Sequence, residues 1–125
     1  MKECAICNRP NSEEHHRIYR SECKPLVKCK KNLVYLCAEH HRGSQGVHGK
    51  HGDKLNRKLK IEFQEWLQGE FKKDKYTMEE IQKKLDVSSN AVRSLSKLMR
   101  LDKGAYLRED IIRVCMGGKM YDTSN

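Results

Sequence analysis

No stretch of the 125 residues approaches the roughly 20 consecutive apolar residues that a membrane span requires. The opening Met-Lys-Glu-Cys-Ala-Ile-Cys lacks the apolar region of a signal peptide. No membrane partner is therefore expected, and the cytosol is the expected compartment. No histidine follows His51, and Cys115 is the only cysteine beyond Cys37. No internal repeat is read along the chain. Apolar residues are scarce at 37%, so any core must be economical, and modules this small often need a metal or another staple.

What is present is basic charge and clustered metal-ligand chemistry. The formal charge of +9 calls for a polyanionic partner, of which nucleic acid is the commonest. In a reducing compartment, six cysteines argue for metal ligands over a disulfide framework. All six histidines lie between His15 and His51, and five of the six cysteines lie between Cys4 and Cys37. This segregation divides the chain into a metal-bearing module over 1–52, a connecting helix over 53–75 and a helical segment over 76–125.

Cys4-x2-Cys7 and Cys37-x2-His40 each bring two ligands together on a tight turn. Together they supply the four ligands of a closed, tetrahedral, structural zinc site, whose binding energy would supplement the small core. Cys23 and Cys29 read as reduced thiols in a loop, with spare metal ligands as the alternative. Five histidines then remain: His15, His16, His41, His48 and His51. Glu14-His15-His16-Arg17-Ile18 reads as a short strand. Alternation sends His15 and His16 to opposite sides, so one can ligate a metal while the other faces substrate. Phosphodiester hydrolysis needs an activated water and neutralisation of charge at the leaving oxygen. Imidazole suits the first task, and a divalent ion with open positions suits the second.

Leu55, Leu59, Phe63, Trp66, Leu67 and Phe71 recur at helical spacing, with Asp53 as candidate N-cap. Thr77 and Glu80 form a capping-box pair ahead of a helix over Met78 to Leu85. After the turn Asp86-Val87-Ser88-Ser89, a second helix is expected over Asn90 to Arg100, broken by Asp102-Lys103-Gly104. A third is expected over Leu107 to Met116, ended by Gly117-Gly118. The two helices across Asp86 resemble a helix-turn-helix, whose second helix would present Asn90, Arg93, Ser94 and Lys97 to a DNA major groove. Asp86 stands where glycine is usual, but aspartate tolerates left-handed geometry better than most residues.

Cys4-x2-Cys7, His15-His16-x-Ile18-x-Arg20-Ser21 and Asn32-Leu33-Val34-x-Leu36-Cys37-x2-His40-His41 resemble, in this order, the HNH endonuclease family, as carried by phage and prophage members. The resemblance covers roughly residues 4 to 51. It implies an α+β fold around a ββα-metal motif, two strands and a helix clasping one catalytic divalent ion such as Mg2+ or Mn2+. It implies DNA as substrate and His16 as the general base. His15 and His41 become ligands of the catalytic ion, with Asn32 holding the loop and orienting the base. His48 would complete the shell or contact phosphate, and Arg20 would bind a phosphate near the scissile bond. Two departures stand out. His40 replaces the commoner cysteine in the knuckle, and His48 follows His41 by seven residues where about one helical turn is common. His48 and His51 are thus interchangeable at this point. The competing reading is a zinc-stabilised DNA-binding regulator with no nuclease activity. Such a module would have no use for Asn32, or for a histidine pair on the strand before it.

Overall fold

Glu13–His16 and Leu33–Leu36 form two strands, β1 and β2, of an antiparallel pair, in which β2 buries every second residue and β1 buries His15. His15 lies opposite Val34, and His16 opposite Leu33. This is the computed structural model of the chain, and it describes residues 2–122. Cys37 caps the five-residue helix α1 (Ala38–Arg42), which packs on both strands. Turns over residues 43–52 then lead into α2 (Asp53–Glu70). The cap of α2 is Gly52, not Asp53; Asp53 sits in the first turn, where its charge suits the helix dipole.

Helix α2 buries Leu59, Phe63 and Leu67 at the expected four-residue spacing, followed by Phe71 at its end. Leu59, with Leu55 at its edge, joins a small core of Cys4, Val34, Leu36, Cys37 and Val47. Phe63, Leu67 and Phe71 join a larger core that draws residues from both ends of the chain. It includes Ile18, Cys23, Leu26 and Cys29 together with Ile81, Leu85, Leu95 and Ile111. Cys23 and Cys29 flank a 3-10 turn (Lys24–Leu26), and both are free thiols with their sulfur in this core. Burial pushes the Cys23 thiol up to about 11.

Beyond α2, β3 (Lys75–Tyr76) precedes α3 (Met78–Leu85). The capping box forms: Glu80 N–H donates to Thr77 Oγ1 at 3.2 Å, and Thr77 N–H to Glu80 Oε1 at 2.9 Å. Asp86 ends α3 in the left-handed region (φ 53°), as the turn requires. Ser88 caps α4 (Ser89–Ser96) by accepting from Ala91 N–H at 3.1 Å. This second helix is shorter than its expected span of Asn90 to Arg100. The chain turns at Lys97, buries Met99 and leaves Leu98 exposed.

The segment after α4 is not purely helical. Strands β4 (Leu101–Asp102) and β5 (Ala105–Leu107) pair across Lys103-Gly104, both at positive φ (52° and 82°). That is a two-residue hairpin turn with a twist matching its strands. Strand β5 also pairs with β3, giving a three-stranded sheet in the order β3-β5-β4. Asp102-Lys103-Gly104 therefore closes a hairpin and does not interrupt a helix. The buried Asp110 fixes the approach to it, accepting from Arg100 N–H at 2.7 Å and from its guanidinium at 2.9 and 3.0 Å. The last helix, α5, runs from Arg108 to Cys115, close to its expected span. No helix among the described residues is long and apolar enough to cross a membrane.

Candidate metal centres and active site

The knuckle residues meet as their spacing predicts. The ligand atoms of Cys4, Cys7, Cys37 and His40 all lie within 4.8 Å of one another. Cys7 Sγ is 3.7 Å from Cys37 Sγ, and His40 Nδ1 is 3.6 Å from Cys4 Sγ and 3.2 Å from Cys37 Sγ. A tetrahedron with the usual zinc–sulfur and zinc–nitrogen bonds has edges of about 3.8 Å between sulfurs and about 3.5 Å between sulfur and nitrogen. The quartet therefore fits an ion such as zinc. Burial works against ionisation of Cys4. Hydrogen bonds from the backbone of Cys37, Cys7 and Ile6 outweigh it and bring the thiol down to about 6. Asn8, left-handed at φ 63°, closes the first turn by donating its N–H to the Cys4 carbonyl at 2.9 Å.

A second cluster forms from His15, His41 and His48, again with ligand atoms within 4.8 Å. Three elements supply it. His15 comes from the buried face of β1, and His41 from α1, one residue after His40. Successive helical residues point about 100° apart, so one short helix serves both clusters. His48 comes from the turns after α1, and there the glycines decide the geometry. Gly43, Gly46, Gly49 and Gly52 recur every third residue, each N–H from Gly46 onward donating to the carbonyl of the glycine before it. The coil is wound so tightly that a Cβ on Gly49 would lie 1.8 Å from the Gly43 carbonyl oxygen, and one on Gly52 1.7 Å from that of Gly46. The same winding lets His48 N–H donate to the His41 carbonyl at 3.0 Å. The seven-residue spacing that departs from the usual pattern thus still brings the two rings within 4.8 Å of each other. His51 is exposed and lies outside the cluster.

The donors of this cluster suit a divalent ion. His15 is 3% exposed, and its Nε2 is a buried polar atom with no hydrogen-bond partner. Buried polar atoms are rarely left unpaired, so this orphan marks a place for a ligand. Burial, aided by repulsion from His41 and His48, pushes the imidazole down to about 3, which keeps it in the neutral form that ligates. His41 Nδ1 donates to Glu13 Oε1 at 2.7 Å, leaving Nε2 as its donor atom toward a metal. Hydrogen bonds from His41 and Arg42 hold the Glu13 carboxyl below its usual range. Glu13 was not singled out in the sequence. The signal was present, because residues 13 and 15 share one face of the strand.

His16 lines the same cavity as this cluster, while Asn32 is buried behind it and bonds the backbone of Ile18 and Leu26. His16 Nε2 lies 2.9 Å from the Val27 carbonyl oxygen, which can only accept, so Nε2 carries the proton and Nδ1 holds the free lone pair. Asn32 is fully buried. Its Oδ1 accepts from Ile18 N–H at 2.7 Å, and its Nδ2 donates to the carbonyls of Ile18 and Leu26 at 3.1 and 3.2 Å. It thereby ties the end of β1 to the residue next to Val27. A cavity of about 640 Å3 opens over His15, His16, His41 and His48, with Tyr19, Arg20 and Lys24 in its wall. Both neighbouring histidines line it, His16 being the last residue of β1. Tyr19 and Lys24 are further residues that the motif reading did not pick out.

Of the residues expected to face DNA, Arg20 lines this cavity. Asn90, Arg93, Ser94 and Lys97 are all exposed on or just after α4, and Arg93 donates to Asn90 Oδ1. Comparisons with protein-family models, curated proteins and solved structures give no match.

Proposed function

We propose that this chain is a metal-dependent DNA endonuclease of the HNH type, with a structural zinc at Cys4, Cys7, Cys37 and His40. The observation that carries the reading is one constellation: three histidine ligands around an orphaned buried nitrogen, beside a fourth histidine tautomerically fixed as a base. The hairpin of β1 and β2 followed by α1, which carries that constellation, supports the ββα-metal reading. His15, His41 and His48 would hold the catalytic ion, which supplies Lewis acidity at the scissile phosphate. His48 is exposed, so substrate could reach the site from that side.

In the reaction, water attacks phosphorus and His16 Nδ1 takes its proton. A bridging P–O bond breaks, and the departing oxygen gains a proton from solvent. The Val27 carbonyl keeps the His16 ring in the productive tautomer, and Asn32 keeps that carbonyl in place. Arg20 binds a non-bridging or neighbouring phosphate oxygen. The exposed side chains of α4 contact the same DNA. The test is cleavage of supercoiled plasmid by the zinc-loaded protein, without and with added Mg2+ or Mn2+, comparing wild type with His16→Ala. Metal-dependent nicking by wild type, reduced about 100-fold or more in the variant, is expected of a lost general base. Failure of folded, zinc-loaded wild type to cut with any divalent ion would move the assignment to a zinc-stabilised DNA-binding regulator.

A further inference from the structure

A second cavity, of about 720 Å3, shares Lys24 with the cavity over the histidines. One wall is the segment Lys24–Lys28, and the other is the turn after α3 with Asn90, Ala91 and Ser94 of α4. Pro25, Val27, Val87 and Ala91 make the lining largely apolar. Lys24 and Lys28 stand exposed at its edge against a single carboxylate, Asp86. Asn90 and Ser94 add hydrogen-bonding groups from the α4 side. Val27 belongs to both sites, since its side chain lines this cleft while its carbonyl holds His16.

We propose that this cleft seats the DNA strand immediately beside the phosphate being cut. The proposal rests on the nuclease reading above and says where its substrate runs. A nucleotide has an apolar ring face, hydrogen-bonding edges and an anionic linkage on either side. The cleft offers the matching set: apolar walls, two polar side chains and two lysines. Lys24 takes the phosphate between the two cavities, and Lys28 the next one along the cleft. Helix α4 then meets the strand at a fixed distance from the cut, because its partner wall is the segment that orients the base. The net charge of +9 favours a polyanion over a neutral or cationic occupant.

The test uses the whole zinc-loaded chain with added Mg2+ or Mn2+, two variants and two substrates. Ala91→Trp fills the cleft, and Lys28→Glu reverses charge at its edge. The substrates are a labelled DNA duplex and bis(p-nitrophenyl) phosphate, a diester small enough to need only the histidine site. For both variants, kcat/KM on DNA is expected to fall by about tenfold or more, with loss of phosphate contact and steric exclusion, while hydrolysis of the small diester stays within about twofold. Circular dichroism establishes that each variant is folded, and Lys28→Glu, on an exposed residue, carries the test if Ala91→Trp is not. Unchanged DNA cleavage in folded variants overturns the cleft and leaves the nuclease reading standing. Equal loss on both substrates also overturns it, since the change then acts through the catalytic site. Wild type inactive on both substrates overturns the nuclease reading and the cleft with it.

Discussion

Glu13 shows how one carboxylate sets the chemistry of a ring it does not resemble in sequence position. By accepting from His41 Nδ1 it fixes the tautomer, and by pairing with Arg42 it is itself held in place at 2.8 Å. Partners of this kind orient metal ligands and raise their basicity. Glu13→Gln preserves the shape but removes the charge. It is expected to weaken Mn2+ or Co2+ binding at the His15–His41–His48 cluster by about 10- to 100-fold. Calorimetric titration of the zinc-loaded protein measures this, and retention of the structural zinc separates it from unfolding. Unaltered affinity would show that the Glu13 charge adds nothing to His41 as a ligand. At this scale the sequence is legible where ligands are local. Cys4-x2-Cys7 and Cys37-x2-His40 each close a tight turn, so spacing alone exposes them. Glu13 and His41 are 28 residues apart, and only the pairing of β1, β2 and α1 brings them together.

Among the elements, the glycine coil of residues 43–52 does what a longer helix would otherwise do. It places His48 against His41 with backbone hydrogen bonds between residues seven apart, namely His40 to Val47, His41 to His48 and Ser44 to His51. Gly49→Ala has no room, because the new Cβ would meet the Gly43 carbonyl oxygen at 1.8 Å. The backbone must move, with an expected loss of about 1–3 kcal/mol and of metal binding at the histidine cluster. Gly69→Ala is the counterpart. Its Cβ would meet nothing within 4 Å, and it lies in α2, so a gain of up to about 1 kcal/mol is expected. Thermal melts should thus move in opposite directions for the two glycine-to-alanine changes. Equal shifts would mean that the coil is looser than its contacts imply. Helices α2, α3 and α5 are readable from apolar periodicity and from the Thr77–Glu80 capping pair. The period-three glycines are not, since no side chain records their bonding. Nor is the β4–β5 hairpin, whose strands are too short to alternate and whose turn carries lysine where asparagine or aspartate is the usual sign.

For the molecule as a whole, the two cores imply two responses to metal loss. The small core contains Cys4 and Cys37 themselves, and four other buried residues (Val34, Leu36, Val47 and Leu59) complete it. Such a cluster holds little apolar area, and structural zinc in small domains contributes about 10–16 kcal/mol of apparent binding energy. The larger core contains none of Cys4, Cys7, Cys37 and His40 and draws on α2 to α5. Its reach back to Ile18, Cys23, Leu26 and Cys29 anchors the His16 and Asn32 end of the hairpin from the other side. Strong chelation, or Cys4→Ser, is therefore expected to release the knuckle, α1 and the glycine coil while α2 to α5 stay folded. Far-UV circular dichroism should keep most of its helical signal. Hydrogen exchange should lose protection over residues 4–10 and 37–52 but keep it at Phe63, Leu67, Ile81, Leu95 and Ile111. Once the quartet is emptied, the histidine cluster should no longer take up added Mn2+ or Co2+, because His41 and His48 both depend on α1 and the turns after it. Complete loss of helix on chelation would show instead that the shared segment 18–29 couples both cores into one cooperative unit. Retention of protection at 37–52 without zinc would remove the structural role of the quartet.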